Sequence, residues 1–570
     1  MLFLYISNLI SVLIFLSYGK FINSLIFSET KKNEIKVFDI ICGFIYLSFI
    51  SLIINFFFAL SLNINNIIFF LSIIFLIFIF KDKKQLKILC KLTLIIGSIS
   101  FLIMVLDHSN RPDAGLYHLP FISVINENKI ILGLSNLHFR FAHVSIVQYT
   151  SAIFNNFIFL DKGITIPIST ILSASFLFFF LKFFKNKDNY FVLFSNFLIT
   201  SFIVLKMSRY NDIGNDVVGH LFFFITIFFF IELISRKKYN FKDFFYLNLF
   251  VIFAFSNKLF LIFSFLFPIF YLIHFKKVEF IFNLKNLLLI FFIFSLLLKN
   301  VMISSCVAYP LEISCFKNLS WSSVDKKIHS NPSYKSIEGE AAVKGWSDLK
   351  DKANTNYKEF KSDFNWLSTW ADKHLIYLIT KLVPLFVIIF ILILMVEIYE
   401  KPRDKIIKNK SLRSALCFSM LICSIGTIYW FLKYPLYRYG YSFFVSILIL
   451  LPSYFIYLRY QETKKKKIIN YLRYTLFIFL IFVSLKNFQR IYKNFDIKYV
   501  DYPWPKIYSY EKENLIQKNI EISIGQNLKI YNPIYRLCMY SQAPCTHYRE
   551  VKNQIFAKKQ GGYILILPKN

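Results

Sequence analysis

Several common patterns are missing from these 570 residues. No Gly-x-Gly-x-x-Gly, phosphate-loop or His-Glu-x-x-His pattern occurs, which removes the dinucleotide, ATP and zinc-protease readings. No Cys-x-x-Cys spacing occurs, so the eight cysteines do not spell a zinc site. The apolar runs are continuous and do not alternate with polar residues, which argues against a β-barrel. No basic segment precedes the first apolar run, so the N-terminus reads poorly as a signal peptide. Internal repeats of the transporter kind are not evident. Acidic residues are scarce, 33 Asp and Glu against 66 Lys and Arg, for a net charge of +33. That surplus does not mark a nucleic-acid binder. The basic residues sit mainly in short connections between apolar runs, where they orient a membrane protein.

What is present is lipid-compatible chain. Hydrophobic residues make up 56% of the sequence, 71 of them Phe, and the mean hydropathy is +0.53. A soluble domain has nowhere to bury that much apolar surface. The runs predict an all-α polytopic membrane protein with about 13–14 transmembrane helices. The stretch 244–274 reads as a hairpin of two helices turning at Ser256, Asn257 and Lys258. The segment 143–160 carries His143, Gln148, Asn155 and Asn156 and reads as interfacial, not spanning.

With the hairpin counted as two spans, the basic connections fall on one side, which the positive-inside rule makes the cytoplasm. The chain then divides into N-terminal spans 1–106, a first outer loop 107–165 and central spans 166–304. A long outer loop 305–373, C-terminal spans 374–486 and a small outer tail 487–570 follow. The expected location is the cytoplasmic membrane, with the functional loops outside. Cys306 and Cys315 share one outer loop, and Cys538 and Cys545 share the tail. On an oxidising side these pairs suggest two disulfides; four free thiols are the alternative.

The polar residues cluster in the outer loops. Asp113 follows a span, with Asp107 slightly deeper, and Tyr117 and His118 come just after it. The next run, "HLPFISVINENKIILGL", reads as an amphipathic segment along the membrane surface, followed by Asn136, His138 and Arg140. A carboxylate at this boundary suits a general base, and an Arg or His beside it suits a phosphate leaving group. A solvated loop whose Asp caps a helix is the plainer alternative. Asp212 and Asp216 are four apart, so one helix face can present both to a shared cation or to Arg209; alternatively Asp212 or Asn215 caps that helix. Lys258 is a cation inside an apolar hairpin, placed to meet a phosphate or Asp212, or to snorkel to the surface. Arg438 stands among Tyr434, Tyr437, Tyr439 and Tyr441, which suits a lipid phosphate or sugar but also an aromatic belt. The long loop holds Trp321, Trp346, Trp366 and Trp370, suited either to sugar stacking or to anchoring.

Taken together, "DAGLYH" (113–118), "GLSNLHFR" (133–140), "AYPL" (308–311) with Trp321, "PLYRYG" (435–440), and Cys538 with "PCTHY" (544–548) resemble an uncharacterised bacterial family of polytopic membrane proteins. More loosely, the layout resembles the GT-C class of membrane glycosyltransferases, which use polyprenyl-phosphate sugars and place a catalytic carboxylate in the first outer loop. The stretch from Arg111 looks like the Pro-Asp-Glu…Tyr stretch of the lipid A aminoarabinose transferase type, with Asp113 at the Asp position. Ala114 stands where that type has a second acid, and about three more spans precede the loop.

The resemblance implies a glycosyltransferase of the cell envelope that moves a sugar from a polyprenyl-phosphate donor to a glycan or lipid acceptor in polysaccharide biosynthesis. Asp113 would be its base, and His118, His138, Arg140, Lys258 and Arg438 would hold the donor phosphate. Asp212, Asp216 and Arg209 are placed for the acceptor or a metal. No cofactor is required, and a divalent cation at Asp113 or Asp212 stays open. Membrane lipids are the other expected partners. A flippase or transporter for a lipid-linked glycan, or a polysaccharide polymerase, is the alternative.

Overall fold

The computed structural model describes residues 2–27, 35–79, 83–106, 113–143, 145–185, 189–211, 213–214, 216–236, 239–349, 356–403, 409–460, 465–493, 520–525, 528–533 and 537–569. Asp107, Asp212 and Asn215 lie outside them. The protein is an all-α polytopic membrane protein. Twelve helical segments among the described residues are long and apolar enough to cross a membrane.

Four helices open the chain: α1 (Leu2–Phe27), α2 (Val37–Phe57), α3 (Leu62–Ile79) and α4 (Lys83–Leu106). Two short helices, α5 (Leu119–Glu127) and α6 (Val147–Ile153), lead to α7 (Ile166–Lys185), α8 (Tyr190–Tyr210) and α9 (Asp216–Ser235). The hairpin of α10 (Phe241–Asn257) and α11 (Leu266–Phe275) precedes α12 (Asn286–Ser304). The long loop folds α13 (Pro332–Val343), α14 (Tyr357–Lys361) and α15 (Leu367–Trp370) before α16 (Ile376–Tyr399), α17 (Lys410–Lys433), α18 (Tyr437–Arg459) and α19 (Lys465–Lys493). The tail forms two antiparallel pairs, β1 (Ile520–Ser523) with β2 (Lys529–Asn532), and β3 (Ile555–Gln560) with β4 (Tyr563–Pro568).

Lipid offers no hydrophobic drive between helices, so close approach and hydrogen bonds join them. A Cβ on Gly19 would lie 1.7 Å from the Asp39 carbonyl oxygen, and one on Gly43 equally close to that of Phe15. Only glycine permits this crossing of α1 and α2. Ser11 bonds Thr170 at 2.6 Å and Ser100 bonds Ser169 at 2.8 Å, tying α1 and α4 to α7. The apolar window of α9 is 94% buried, against 22% for α3, so α9 runs through the centre and α3 along the lipid boundary.

The hairpin reverses at Lys258, where α10 ends in an extended residue. Its arms close at the far end, where Phe244 stacks on Tyr271 at 6.0 Å. Two expectations need correction. The run after His118 does not lie along a surface: Leu119 to Asn126 of α5 are all buried. The polar end of α5 is taken up by the tail, with the Ala543 amide on Glu127 (3.2 Å) and the Tyr540 hydroxyl bonded to Asn126 (3.1 Å). Likewise α6, within 143–160, presents no exposed face; its seven residues are all buried, against α2 and α5.

The tail is therefore part of the first loop's structure. Leu132 and Leu565 pair as a parallel bridge, and the Met539 amide bonds the Gly115 carbonyl at 2.9 Å. Disulfides join Cys306 to Cys315 and Cys538 to Cys545.

Candidate active site: an alternating chain of five charges

The short sequence elements quoted above meet at one end of the bundle. In "DAGLYH", Asp113 supplies a carboxylate and Gly115 lets the tail approach: a Cβ there would lie 2.3 Å from the Met539 sulfur. In "GLSNLHFR", Gly133 has φ +68°, and a Cβ would lie 2.3 Å from the Ile566 carbonyl oxygen. Asn136 donates to the carbonyls of Trp321 (2.9 Å) and Ile566 (3.0 Å) and accepts from Ser330 (2.9 Å). One amide thus joins first loop, long loop and tail. In "PLYRYG", the Pro435 and Leu436 carbonyls accept from the indoles of Trp370 and Trp430, which sets the start of α18.

These contacts place Arg438 opposite Asp113. Asp113 Oδ1 faces Arg140 Nη1 at 3.1 Å, and its Oδ2 faces Arg438 Nη2 at 3.1 Å. Arg438 Nε lies 3.6 Å from Asp216 Oδ2, and Asp216 Oδ1 lies 2.9 Å from Lys258 Nζ. The order is cation, carboxylate, cation, carboxylate, cation. Side-chain exposure falls along it, from 38% at Arg140 through 32%, 25% and 21% to 10% at Lys258. The chain of charges therefore runs inward from an open mouth. Among the described residues, three cations and two carboxylates leave it one positive charge in excess.

Aromatic faces line both ends. Arg140 lies over Tyr117 at 5.1 Å, and Lys258 and Arg438 lie over Tyr439 at 4.8 and 5.4 Å. His118 is buried beside Asp113, and its Nδ1 meets Gln148 Nε2 at 2.8 Å. The amide oxygen of Gln148 accepts from Ser145 (2.8 Å), so its NH2 group donates to the ring and the proton of His118 sits on Nε2. Nε2 points toward Gly214, where a Cβ would lie 3.6 Å away. Burial pushes His118 down to about 4, so the ring is neutral at neutral pH despite Asp113 and Asp216. Burial and Asp113 together raise the Tyr117 phenol.

The structure thus brings Asp113, Arg140, Arg438, Asp216 and Lys258 together, with His118 alongside. Lys258 pairs with Asp216, and Asp216 meets Arg438. Arg209 closes α8, within electrostatic reach of Tyr210 and His220. His138 stands outside the chain of charges. Its ring is fully buried among Phe141, His547 and Tyr548, and its Nδ1 accepts from the Arg140 amide at 3.1 Å.

Sequence reading missed His220 and Tyr210. Lys258 Nζ lies 3.3 Å from His220 Nε2, and His220 Nδ1 lies 3.0 Å from the Tyr210 hydroxyl. The signal was available: Asp216 and His220 are four apart at a helix start, one face of α9. The tryptophans serve packing. Trp366 and Trp370 are buried against Phe431, and the Trp321 indole bonds the Val301 carbonyl at 3.0 Å. Among the described residues no three His, Cys, Asp or Glu side chains are grouped to hold a metal ion.

Comparison with known sequences adds one finding. The profile of the family described as Domain of unknown function (DUF8201) matches residues 1–445, which carry every member of the charged chain. No curated protein and no solved structure matches.

Proposed function

The chain belongs to the DUF8201 family, and we propose that it is a membrane glycosyltransferase of GT-C-like design. It would move a sugar from a polyprenyl-phosphate donor to a hydroxyl of a glycan or lipid acceptor, at the outer face of the cytoplasmic membrane. The observation that carries this reading is the Asp113 carboxylate, held at an open mouth between two guanidinium groups with Lys258 behind them.

A sugar phosphodiester carries one negative charge, which matches the single positive excess of the site. Arg140 and Arg438 would take its phosphate oxygens, since a planar guanidinium suits phosphate as well as carboxylate. In doing so they release Asp113, whose oxygens they otherwise occupy. The freed carboxylate accepts the acceptor's hydroxyl proton while that oxygen bonds the anomeric carbon. The bond from the anomeric carbon to the phosphate oxygen breaks, and the leaving phosphate gains a second negative charge. Arg438, Arg140 and the His118 Nε2–H stabilise that charge as it forms. Asp216 and Lys258 hold Arg438 from the buried side. No nucleotide enters, in keeping with the missing nucleotide motifs.

The test is reconstitution in liposomes with a panel of polyprenyl-phosphate sugars, following donor consumption by wild type and Asp113→Asn. A loss of about a hundredfold is expected for a missing general base. Equal turnover would remove Asp113 from the mechanism. Absent turnover, with transbilayer movement of a glycan lipid, would favour a flippase instead.

A further inference from the structure

Three imidazoles from three distant segments meet beside the charged chain but are not part of it. His138 comes from the first loop, His329 from the long loop and His547 from the tail. The His138 and His547 rings are 4.9 Å apart, and Tyr548 lies 5.0 Å from His138, 4.9 Å from His329 and 4.2 Å from His547. His138 Nε2, His329 Nε2 and His547 Nδ1 are each buried without a hydrogen-bond partner. Buried polar atoms are normally paired, so three such nitrogens in one place call for a reason. Metal binding does not supply it, because the rings are not grouped as ligands.

Their position does. The same joint carries the hydrogen bonds that seat the tail and the long loop on the first loop. Thr546 Oγ1 donates to the Leu137 carbonyl (3.2 Å), and His329 meets Gln554 (3.1 Å). We propose that this histidine cluster is an acid-released latch: neutral rings hold the tail and the long loop against the first loop, and protonation parts them.

The surroundings favour release. The charged and titratable groups facing the cluster are Arg140 and His143 from the first loop, Lys335, Glu338 and Tyr309 from the long loop, and Tyr548 from the tail. Glu338 is already paired to Lys335, so no free carboxylate among them awaits an imidazolium. Burial pushes His329 and His547 down to about 4 and His138 well below its ordinary value. The seated rings therefore resist a proton that released rings accept near 6.5. The joint is at full strength above about pH 6.5 and weakens as pH falls toward about 4. Because His138 Nδ1 accepts from the Arg140 amide, a proton there also breaks the bond that seats Arg140. Acid would thus loosen one of the two guanidinium groups on Asp113.

Hydrogen–deuterium exchange of the full-length protein in lipid nanodiscs, corrected for intrinsic rates, tests the latch at pH 7.5 and pH 5. The expected result is at least a tenfold loss of protection in β3, β4 and residues 130–138, with the spans unchanged. The triple variant His138→Gln/His329→Gln/His547→Gln should lose less than threefold in the same segments. A wild-type loss below tenfold would overturn the latch, and so would spans and tail loosening together, or a variant that responds like wild type. Should the variant fail to fold, the contrast between tail and spans in wild type still decides.

Discussion

Two clusters in this protein surround carboxylates with cations, and they differ in what they join. In the long loop, Glu340 meets Lys344 and Lys361 at 2.7 Å each and Lys433 at 3.7 Å. Glu340 and Lys344 lie one helical turn apart, and Lys344 sits over the Trp366 ring at 4.4 Å. This cluster is closed: the Glu340 and Lys344 side chains are 9% and 4% exposed. The Asp113 chain uses the same chemistry across four separate segments, the first loop, α9, the hairpin turn and α18, and it opens toward solvent at Arg140. A closed, mostly local cluster fastens a loop to the bundle. An open one assembled from distant segments offers charges that an incoming anion can recruit.

Substitutions sharpen that contrast. The largest difference is expected between Asp113→Asn and Glu340→Gln. The first should cut donor turnover by about a hundredfold with the fold intact. The second should leave turnover within about threefold but destabilise the loop by about 3 kcal/mol, since it strands the buried Lys344 ammonium. Comparable activity losses in both would erase the distinction. Arg438→Lys should follow, with about a tenfold fall in turnover, because an ammonium cannot span Asp113 and Asp216 as a planar guanidinium does. Full activity in this variant would show that charge alone suffices.

Gly133→Ala comes next. Its added Cβ would meet the Ile566 carbonyl oxygen and Trp321, and its φ is left-handed, so a cost of about 2 kcal/mol is expected. The cost should appear as lost exchange protection in β4 rather than in the spans. The smallest effect belongs to Lys433→Ala, at the exposed rim of the Glu340 cluster. It should change stability by less than about 0.5 kcal/mol, as exposed ion pairs generally do. A larger shift in thermal unfolding would mean that the rim carries part of the lock.

The hairpin at Lys258 was legible because an apolar run of that length with a polar middle has few other solutions in a membrane. The burial of α5 was not legible. Its pattern "LPFISVINE" fits a surface helix equally well, and only the tail, some 400 residues on, supplies the second cover. The same limit applies to His138. The resemblance to GT-C enzymes placed it with Arg140 among donor ligands, yet its ring turns into the loop core while Arg140 turns to the mouth.

By itself the sequence determined that this chain lives in a membrane as helices, which loops hold its polar chemistry, and which residues there carry charge. Hydrophobic length and backbone satisfaction in lipid dictate those outcomes without reference to any distant residue. Tertiary structure alone decided the pairings. Asp113 and Arg438 are 325 positions apart, and His138, His329 and His547 come from three separate segments. No periodicity encodes such meetings, because they depend on how whole helices and loops pack, and on glycines such as Gly115 and Gly133 that let them close.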